Sequence, residues 1–300
     1  MDKFVSPLRY PGGKLKVVDY IKQVFEANDL CDGHYIEPYA GGASVALALL
    51  QSEYAHTIHI NDIDRSIYAF WHSVLHQPED LCRLIADTPV TMTEWERQKD
   101  VQKRKEDKDT SLLELGFSTF FLNRTNRSGI LSAGVIGGKD QTGPYKMDAR
   151  YNKADLIERI ECIADYAERI TLTNKDAVKL VKSLSGLNGL SSLSSSKTLI
   201  YLDPPYYIKG RDLYLNYYTD DDHRQIARAI SAYPGQWLIS YDAVPFLKEL
   251  YKDYRQREYY LSYSAGNPSK GKEIMVYSDG LEVPEGEIVG SAKGRRKLSD

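Results

Sequence analysis

The sequence has 300 residues, of which 42% are hydrophobic and 27% charged, a composition that is typical of globular proteins and excludes a fibrous or disordered chain. No apolar run approaches the roughly 20 residues that span a bilayer, and the N-terminus lacks a signal-peptide pattern. The three cysteines form no Cys-x-x-Cys pair. We therefore expect a cytoplasmic protein without a membrane span, disulfide framework or metal site. The net charge of -3 weighs only weakly against nucleic-acid binding, because local clusters of Lys and Arg matter more than the total.

Residues 1–64 alternate between helix and strand patterns. Apolar spacing predicts, in chain order, a helix over Leu15–Phe25, a strand over His34–Pro38, a glycine turn over Ala40–Ala43, a helix over Ser44–Gln51 and a strand over Thr57–Asn61. Asp62 follows the second strand. This order is the opening of an open α/β sheet that binds a nucleotide-like ligand at its strand ends.

Residues 65–150 change to helical patterns, at Ile67–Leu75 and Ser111–Leu122, followed by a Gly-rich stretch. We interpret them as an inserted, mainly helical domain that interrupts a catalytic domain formed by residues 1–64 and 151–280. Within the insert, Asn123–Arg127 combines cations with amides and indicates a loop that could read bases. Residues 281–300 are expected to form a flexible tail.

The α/β pattern then resumes. It predicts helices over Asn152–Tyr166, Asp176–Leu184 and Asp222–Ala232, and strands over Ile170–Thr173, Thr198–Leu202, Trp237–Tyr241, Tyr254–Tyr263 and Glu273–Tyr277. Residues 183–196 are rich in Ser and Leu, which indicates a low-complexity surface loop.

The tetrapeptide Asp203-Pro204-Pro205-Tyr206 follows the most apolar strand. Its prolines stiffen the chain and remove two amide donors, so that a carboxylate and a carbonyl can face one point. Two such acceptors suit an NH2 group, because they hold both hydrogens and stabilise positive charge on the attacking nitrogen. Tyr206 could stack on a planar base. The alternative is a tight turn that merely closes the strand.

The glycine turn between Glu37 and Ser44 contains only the adjacent pair Gly41-Gly42. Backbone without side chains can still approach a ligand closely there, and Asp62 at the next strand end is placed to bind ribose hydroxyls. A tight packing turn remains the alternative for this segment alone.

Four motifs together resemble those of the Dam-like (D12 class, alpha-group) adenine-N6 DNA methyltransferases, in order and spacing, over about residues 6 to 278. They are Pro7-Leu8-Arg9-Tyr10-Pro11-Gly12-Gly13-Lys14, Glu37-Pro38-Tyr39-Ala40-Gly41-Gly42, Asn61-Asp62-Ile63-Asp64 and Asp203-Pro204-Pro205-Tyr206. The resemblance implies a Rossmann-like fold, S-adenosylmethionine as cofactor and double-stranded DNA as substrate. We expect a monomer.

The resemblance also implies roles by position. Tyr10 and Lys14 would lie beside the cofactor and the target pocket, Asp62 would bind the ribose, and Asp176 would contact the adenine of the cofactor. The methionine end would be lined by Glu37, Tyr39, Ala40 and Gly41. The catalytic residues would be Asp203, Pro204, Pro205 and Tyr206.

The segment from Phe120 to Gly129 resembles the start of the DNA-recognition hairpin of the family. Asn123, Arg124, Asn126 and Arg127 are therefore candidates for DNA contact. The alternative is a helix terminus whose side chains pair with local carboxylates. His223 is a possible general base, although a capping or packing role is favoured.

The implied reaction is direct transfer of a methyl group to the N6 of a flipped adenine. A cytosine-N4 methyltransferase is the nearest alternative, but such enzymes more often carry Ser in place of Asp203. Protein-glutamine methyltransferases carry Asn there. A DNA-binding regulator that has the fold without activity is the alternative from another class.

Overall fold

A computed structural model describes residues 6–10, 14–185, 197–207, 218–263 and 269–289. Three predicted features lie wholly or partly outside the described residues: Pro11-Gly12-Gly13 of the N-terminal motif, the Ser/Leu-rich stretch after residue 185, and the tail after residue 289.

The described chain is organised around a mostly parallel seven-stranded sheet in the order β3-β2-β1-β4-β5-β7-β6. The strands are β1 (Gly33–Glu37), β2 (Ala55–Asn61), β3 (Ile170–Thr173), β4 (Thr198–Leu202), β5 (Gln236–Asp242), β6 (Arg255–Tyr263) and β7 (Ser269–Tyr277). Strand β7 is antiparallel to both of its neighbours, β5 and β6, whereas the other described pairings are parallel. The Rossmann-like α/β fold predicted from the sequence is confirmed.

Strand β4 shows why the sheet is buried on both faces. All five of its residues are buried. Leu199 and Tyr201 join one hydrophobic core, whereas Ile200 and Leu202 join a second core. Successive side chains of a strand point to opposite faces, so a continuous apolar run requires a layer of helices on each side.

The helices of the described residues are α1 (Val18–Ala27), α2 (Ser44–Gln51), α3 (Arg65–His76), α4 (Pro78–Asp87), α5 (Met92–Lys103), α6 (Leu112–Thr125), α7 (Lys153–Ala164), α8 (Ala177–Leu184), α9 (Asp220–Ser231) and α10 (Pro245–Leu250). The first core contains buried residues of α1, α2 and α3, and the second core contains those of α8 and α9. None of the helices in the described part of the chain is long and apolar enough to cross a membrane.

Helices α3 to α7 lie between β2 and β3 in the chain. Most of their buried apolar side chains, including Trp71, Phe120 and Leu156, belong to the same core as Tyr35 of β1. A small separate cluster is formed by Ala69, Val101 and Leu115. Helices α4 and α10 were not predicted. Helices α4 and α10 each begin at a proline, a residue that suits the first helical position because its missing amide would have had no partner there.

The tail expected to be flexible is ordered over its first nine residues, 281–289, which corrects that expectation for this part. Leu281 and Ile288 are buried. The guanidinium of Arg257 donates to the Gly286 carbonyl at 2.9 Å, and the Asn28 amide donates to the Glu282 carbonyl at 2.8 Å. Two buried apolar side chains and these hydrogen bonds hold the segment against the protein.

Candidate active site

The predicted site residues meet at the carboxyl ends of the parallel strands. Strand β1 has β2 on one side and β4 on the other, which makes this the point where the strand order reverses. Glu37 ends β1, Asp62 follows β2 and Asp203 follows β4. Ligands of open α/β sheets bind in the crevice at such a switch point, because the two flanking connections leave in opposite directions.

The turn at Gly41 is held from three sides. Its amide donates to Asp62 Oδ2 at 2.9 Å, and its carbonyl accepts from Trp71 Nε1 at 2.9 Å. Gly41 has a φ of +46°, and an added Cβ would lie 2.7 Å from the Tyr10 ring. Glycine is required here by the left-handed backbone and by the close approach of Tyr10.

Asp62 binds backbone on both carboxylate oxygens, since Oδ1 accepts from the Asp64 amide at 2.9 Å. Burial raises the pKa of Asp62 to about 7, although the hydrogen bonds from Asp64 and Gly41 oppose this rise. The neighbouring Ile63 is 51% exposed, so an apolar side chain faces solvent beside the strand end.

Glu37 is buried, and within the described part of the chain its Oε2 has no hydrogen-bond partner. Burial, followed by the charge of Asp203, raises the pKa of Glu37 well above its usual range. Burial of an unpartnered carboxylate oxygen is costly. The atom is therefore a candidate to accept hydrogen bonds from a bound ligand.

The other predicted cofactor residues surround the same crevice or mark its edge. The Tyr39 hydroxyl lies 2.8 Å from the Tyr218 hydroxyl. Ala40 is buried, and its amide donates to the Asn61 carbonyl at 2.8 Å. Asp176 caps α8 by accepting from the Lys179 amide at 3.0 Å.

Asp203 is held through one of its two oxygens. Its Oδ1 accepts from Ser240 Oγ at 2.7 Å and lies 3.2 Å from Lys14 Nζ. The side chain is 24% exposed. Burial raises the pKa of Asp203 to about 6, while the charge of Lys14 acts in the opposite direction. Asp203 is thus ionised above about pH 6.

Lys14 connects Asp203 to a second, fully buried carboxylate on β7. Lys14 Nζ lies 2.7 Å from Glu273 Oε2 and 3.2 Å from the Tyr206 hydroxyl. Burial alone would lower the pKa of Lys14, but the charges of Asp203 and Glu273 raise it well above its usual range. Lys14 is therefore a charged ammonium within the site.

Tyr206 is oriented by its hydroxyl, which donates to Glu273 Oε1 at 3.0 Å. The side chain is 7% exposed, and Lys14 Nζ lies 5.1 Å from its ring centroid. Pro204 is buried, and Pro205 is half-buried. The ring thus has one face beside an ammonium, and base stacking at Tyr206 stays a prediction.

His223 lies inside an aromatic cluster. It is fully buried, and its ring packs within 5.6 Å of Tyr207, Tyr218 and Tyr241, measured between centroids. Burial lowers the pKa of His223 below its usual range. These surroundings favour the packing role over a general base.

The structure places two candidates for DNA contact inside the protein, which corrects the expectation for both. Asn123 and Asn126 are buried. Both amide hydrogens of Asn123 are used, by the carbonyls of Arg9 and Gly129, and those of Asn126 are used by Ile130 and Leu131. Both side chains use their hydrogen bonds to hold the end of α6, because the donors of a buried amide group must be paired.

Cationic side chains are concentrated around this segment. Arg127 and Arg150 are exposed, and Arg9 and Arg124 are half-buried. Arg124 Nε donates to the Arg150 carbonyl at 2.8 Å. Burial and the charges of Arg9 and Arg159 lower the pKa of Arg124 to about 10, so it remains charged at neutral pH. A local positive surface therefore exists despite the negative net charge.

No group of three or more His, Cys, Asp or Glu side chains that could hold a metal ion occurs among the described residues.

A comparison with protein families matches residues 10–264 to the D12 class N6 adenine-specific DNA methyltransferase family. The chain belongs to this family. The methyltransferase therefore modifies the N6 amine of adenine in DNA, and cytosine-N4 methylation is not favoured. A search of curated proteins found no match.

Three residues of the methyltransferase site were missed from the sequence: Trp71, Ser240 and Glu273. Ser240 interrupts the apolar run Trp237–Tyr241, whereas Glu273 follows the polar residue Lys272 and precedes the apolar residues 274–277. A lone polar residue in a buried strand requires a partner, and that signal could have marked Ser240 but not Glu273. Trp71 carries no comparable signal, because an aromatic residue on a helix usually packs in the core.

Proposed function

We propose that S-adenosylmethionine is the methyl donor of this methyltransferase and binds over the turn at Gly41. The residues fit such a ligand. The carboxylate of Glu37 has an unpartnered oxygen within the described residues, which suits the cationic amino group of a methionine moiety. Gly41 holds the turn at a positive φ against the Tyr10 ring, and Ile63 exposes an apolar side chain beside the turn.

The proposed cofactor contacts divide along the crevice. Tyr10, Glu37, Tyr39, Ala40 and Gly41 would hold the methionine end. The chemistry that the cofactor supplies when bound is an activated methyl group on a sulfonium.

Towards the other end of the cofactor, Asp62 would accept from ribose hydroxyls. A carboxylate has about four acceptor sites, and the amides of Gly41 and Asp64 use two of those on Asp62. Ile63 would pack against the adenine ring, with Asp176 at its edge.

Asp203 is the proposed acceptor for the target amine. Ser240 and Lys14 both contact Oδ1, which orients Oδ2 as the oxygen that would receive one N6 hydrogen. The carbonyl of Pro204 would receive the other, and Pro205 would keep the loop rigid. Two acceptors favour the more tetrahedral nitrogen of the transition state over the flat ground-state amine, whose lone pair is delocalised into the ring.

The adenine would leave the duplex to reach this point, at a cost of a few kcal/mol, and would stack near Tyr206. We assign DNA contact to Arg124 and Arg127, with residues 65–150 as the recognition part and residues 1–64 and 151–280 as the catalytic part. Arg127 is exposed and Arg124 is half-buried, and arginine side chains suit phosphates and guanine edges.

The observation that carries this proposal is the oriented, ionisable carboxylate of Asp203 at the switch point, next to the glycine turn. It is tested by transfer of tritium from labelled S-adenosylmethionine to duplex DNA. Asp203→Ala should abolish transfer while calorimetry still detects cofactor binding. Asp279→Ala, at an exposed position, is the control. Appreciable methylation by the Asp203→Ala variant would refute the assignment.

A further inference from the structure

Glu273 is a charged side chain that directly precedes the apolar end of its strand, residues 274–277. It lies on β7, paired with Asp242 of β5 on one side and Tyr259 of β6 on the other. The residue is fully buried. An ionised carboxylate is strongly destabilised away from water unless donors surround it, so its presence here must be explained by its partners.

Three donors converge on this carboxylate. Oε2 lies 2.7 Å from Lys14 Nζ and accepts from the Tyr259 hydroxyl at 2.6 Å, while Oε1 accepts from the Tyr206 hydroxyl at 3.0 Å. Two of the three donors, Lys14 and Tyr206, also line the active site. The strand position of Glu273 thus fixes two side chains that come from distant parts of the chain.

Lys14 is shared unequally between two carboxylates. Its Nζ lies 2.7 Å from Glu273 but 3.2 Å from Asp203. If the carboxyl of Glu273 were neutral, the ammonium would pair with Asp203 alone. Asp203 would then be a weaker acceptor for the amine, because its charge would be balanced by Lys14 rather than by the positive charge that develops on N6.

We propose that Glu273 is a positioning residue for methyl transfer. It holds Lys14 and Tyr206 in place and takes up the charge of Lys14, so that Asp203 keeps its negative charge for the target amine. This inference rests on the proposed function of Asp203.

The charged and titratable groups that face Asp203 determine whether its pKa rises or falls when Glu273 is changed. They come from the N-terminal motif, β1, β4, β5 and β7, and are Lys14, Tyr35, Glu37, Tyr201, Ser240 and Glu273. Apart from burial, the negative charge of Glu273 raises the pKa of Asp203, whereas Lys14 and Ser240 lower it. Removal of the Glu273 charge should therefore lower the pKa of Asp203.

The experiment is Glu273→Gln in the full chain, with kcat, KM and the pH profile measured by tritium transfer to DNA. We expect kcat to fall about 100-fold, the loss typical of misplaced reacting groups, with KM for DNA and cofactor unchanged. The acidic limb of kcat should move to lower pH, a shift that a merely structural role would not produce. Glu258→Gln, on the adjacent β6 and ion-paired at the surface with Lys272, should behave like the parent.

A parental kcat in Glu273→Gln, or an acidic limb that stays in place or moves to higher pH, would overturn the inference. If that variant does not fold, Glu273→Asp decides instead, because it keeps the charge but shortens the side chain. It should lower kcat without moving the acidic limb, and a parental kcat would contradict the inference.

Asp203→Asn, measured alongside, separates the two hypotheses. Transfer retained by Asp203→Asn refutes the proposed function of Asp203 and this inference with it. Transfer lost in Asp203→Asn but parental in Glu273→Gln refutes only the role of Glu273.

Discussion

Ser240 offers a direct test of how Asp203 is tuned. Ser240 is fully buried and has a single hydroxyl hydrogen, which it donates to Asp203 Oδ1 at 2.7 Å. The Tyr201 hydroxyl, 2.9 Å from Ser240 Oγ, must then be the donor in that second contact. Ser240→Ala removes the hydrogen bond to Asp203 and leaves Lys14 as the remaining partner described for that carboxylate.

The size of the effect follows from the strength of this hydrogen bond. Hydrogen bonds to charged groups contribute about 1.5–3 kcal/mol, and one pKa unit corresponds to about 1.36 kcal/mol. Asp203 is 24% exposed, so water replaces part of the loss and the lower end of that range applies. We expect Ser240→Ala to raise the pKa of Asp203 by about one unit.

The consequence is a loss of activity confined to acidic conditions. The pKa of Asp203 is about 6 in the parent. The proposed role of Asp203 requires its ionised form. At pH 6.5 a rise of about one unit would reduce the ionised fraction from roughly three quarters to roughly one quarter, a loss of about threefold. At pH 8 the loss would be only about 10%.

The assay is the pH profile of kcat for tritium transfer to duplex DNA. Tyr201→Phe is the matched control, because it removes a buried hydroxyl of the same cluster but leaves the bond from Ser240 to Asp203. Its acidic limb should stay at the parental pH. Both variants should unfold at lower temperature, because Ser240→Ala leaves the buried Tyr201 hydroxyl unpaired at a cost of about 1–3 kcal/mol and Tyr201→Phe loses the hydrogen bond to Ser240. An acidic limb of Ser240→Ala that stays in place or moves to lower pH would refute the reasoning.

Three further outcomes are expected. Gly41→Ala should weaken cofactor binding about tenfold in calorimetry, because the new Cβ meets the Tyr10 ring at 2.7 Å and the φ is positive; parental affinity would contradict the role of the turn. Asn126→Ala should lower the free energy of unfolding in urea by at least about 2 kcal/mol, because it unpairs the buried Trp95 indole and two carbonyls; an unchanged midpoint would count against this network. Arg127→Ala should reduce the slope of the DNA-binding constant against salt concentration, on logarithmic scales, by about one counterion. Arg83→Ala, an exposed control on α4, should leave this slope unchanged. Equal slopes for the two variants would show that Arg127 does not contact DNA.

Local sequence patterns were sufficient to predict the strands and helices that position the candidate site. The apolar run Thr198–Leu202 predicted β4 without error, and Ser44–Gln51 likewise predicted α2. Such patterns work because the periodicity of buried residues and the breaks at Gly and Pro are properties of neighbours in the chain. They also placed Asp62 and Asp203 at strand ends, from which their meeting at one edge of the sheet follows.

Side-chain direction was not predictable in the same way. The run Asn123–Arg127 has the composition of a DNA-reading loop, yet its first three residues end α6 and its amides point inward. The reason is that Arg9 and Trp95, which bind those amides, are remote in the chain. The sequence does not distinguish a polar residue that bonds to a base from one that bonds to the protein's own backbone.

The sequence by itself determined the fold and the family and supplied Asp203 as the candidate catalytic carboxylate, because these depend on local periodicity and on contiguous motifs. Only the tertiary structure decided what surrounds that carboxylate. Ser240 reaches Asp203 from β5, and Glu273 reaches Lys14 across 259 residues of chain. The charge balance of the site is set by contacts between strands that no local pattern encodes.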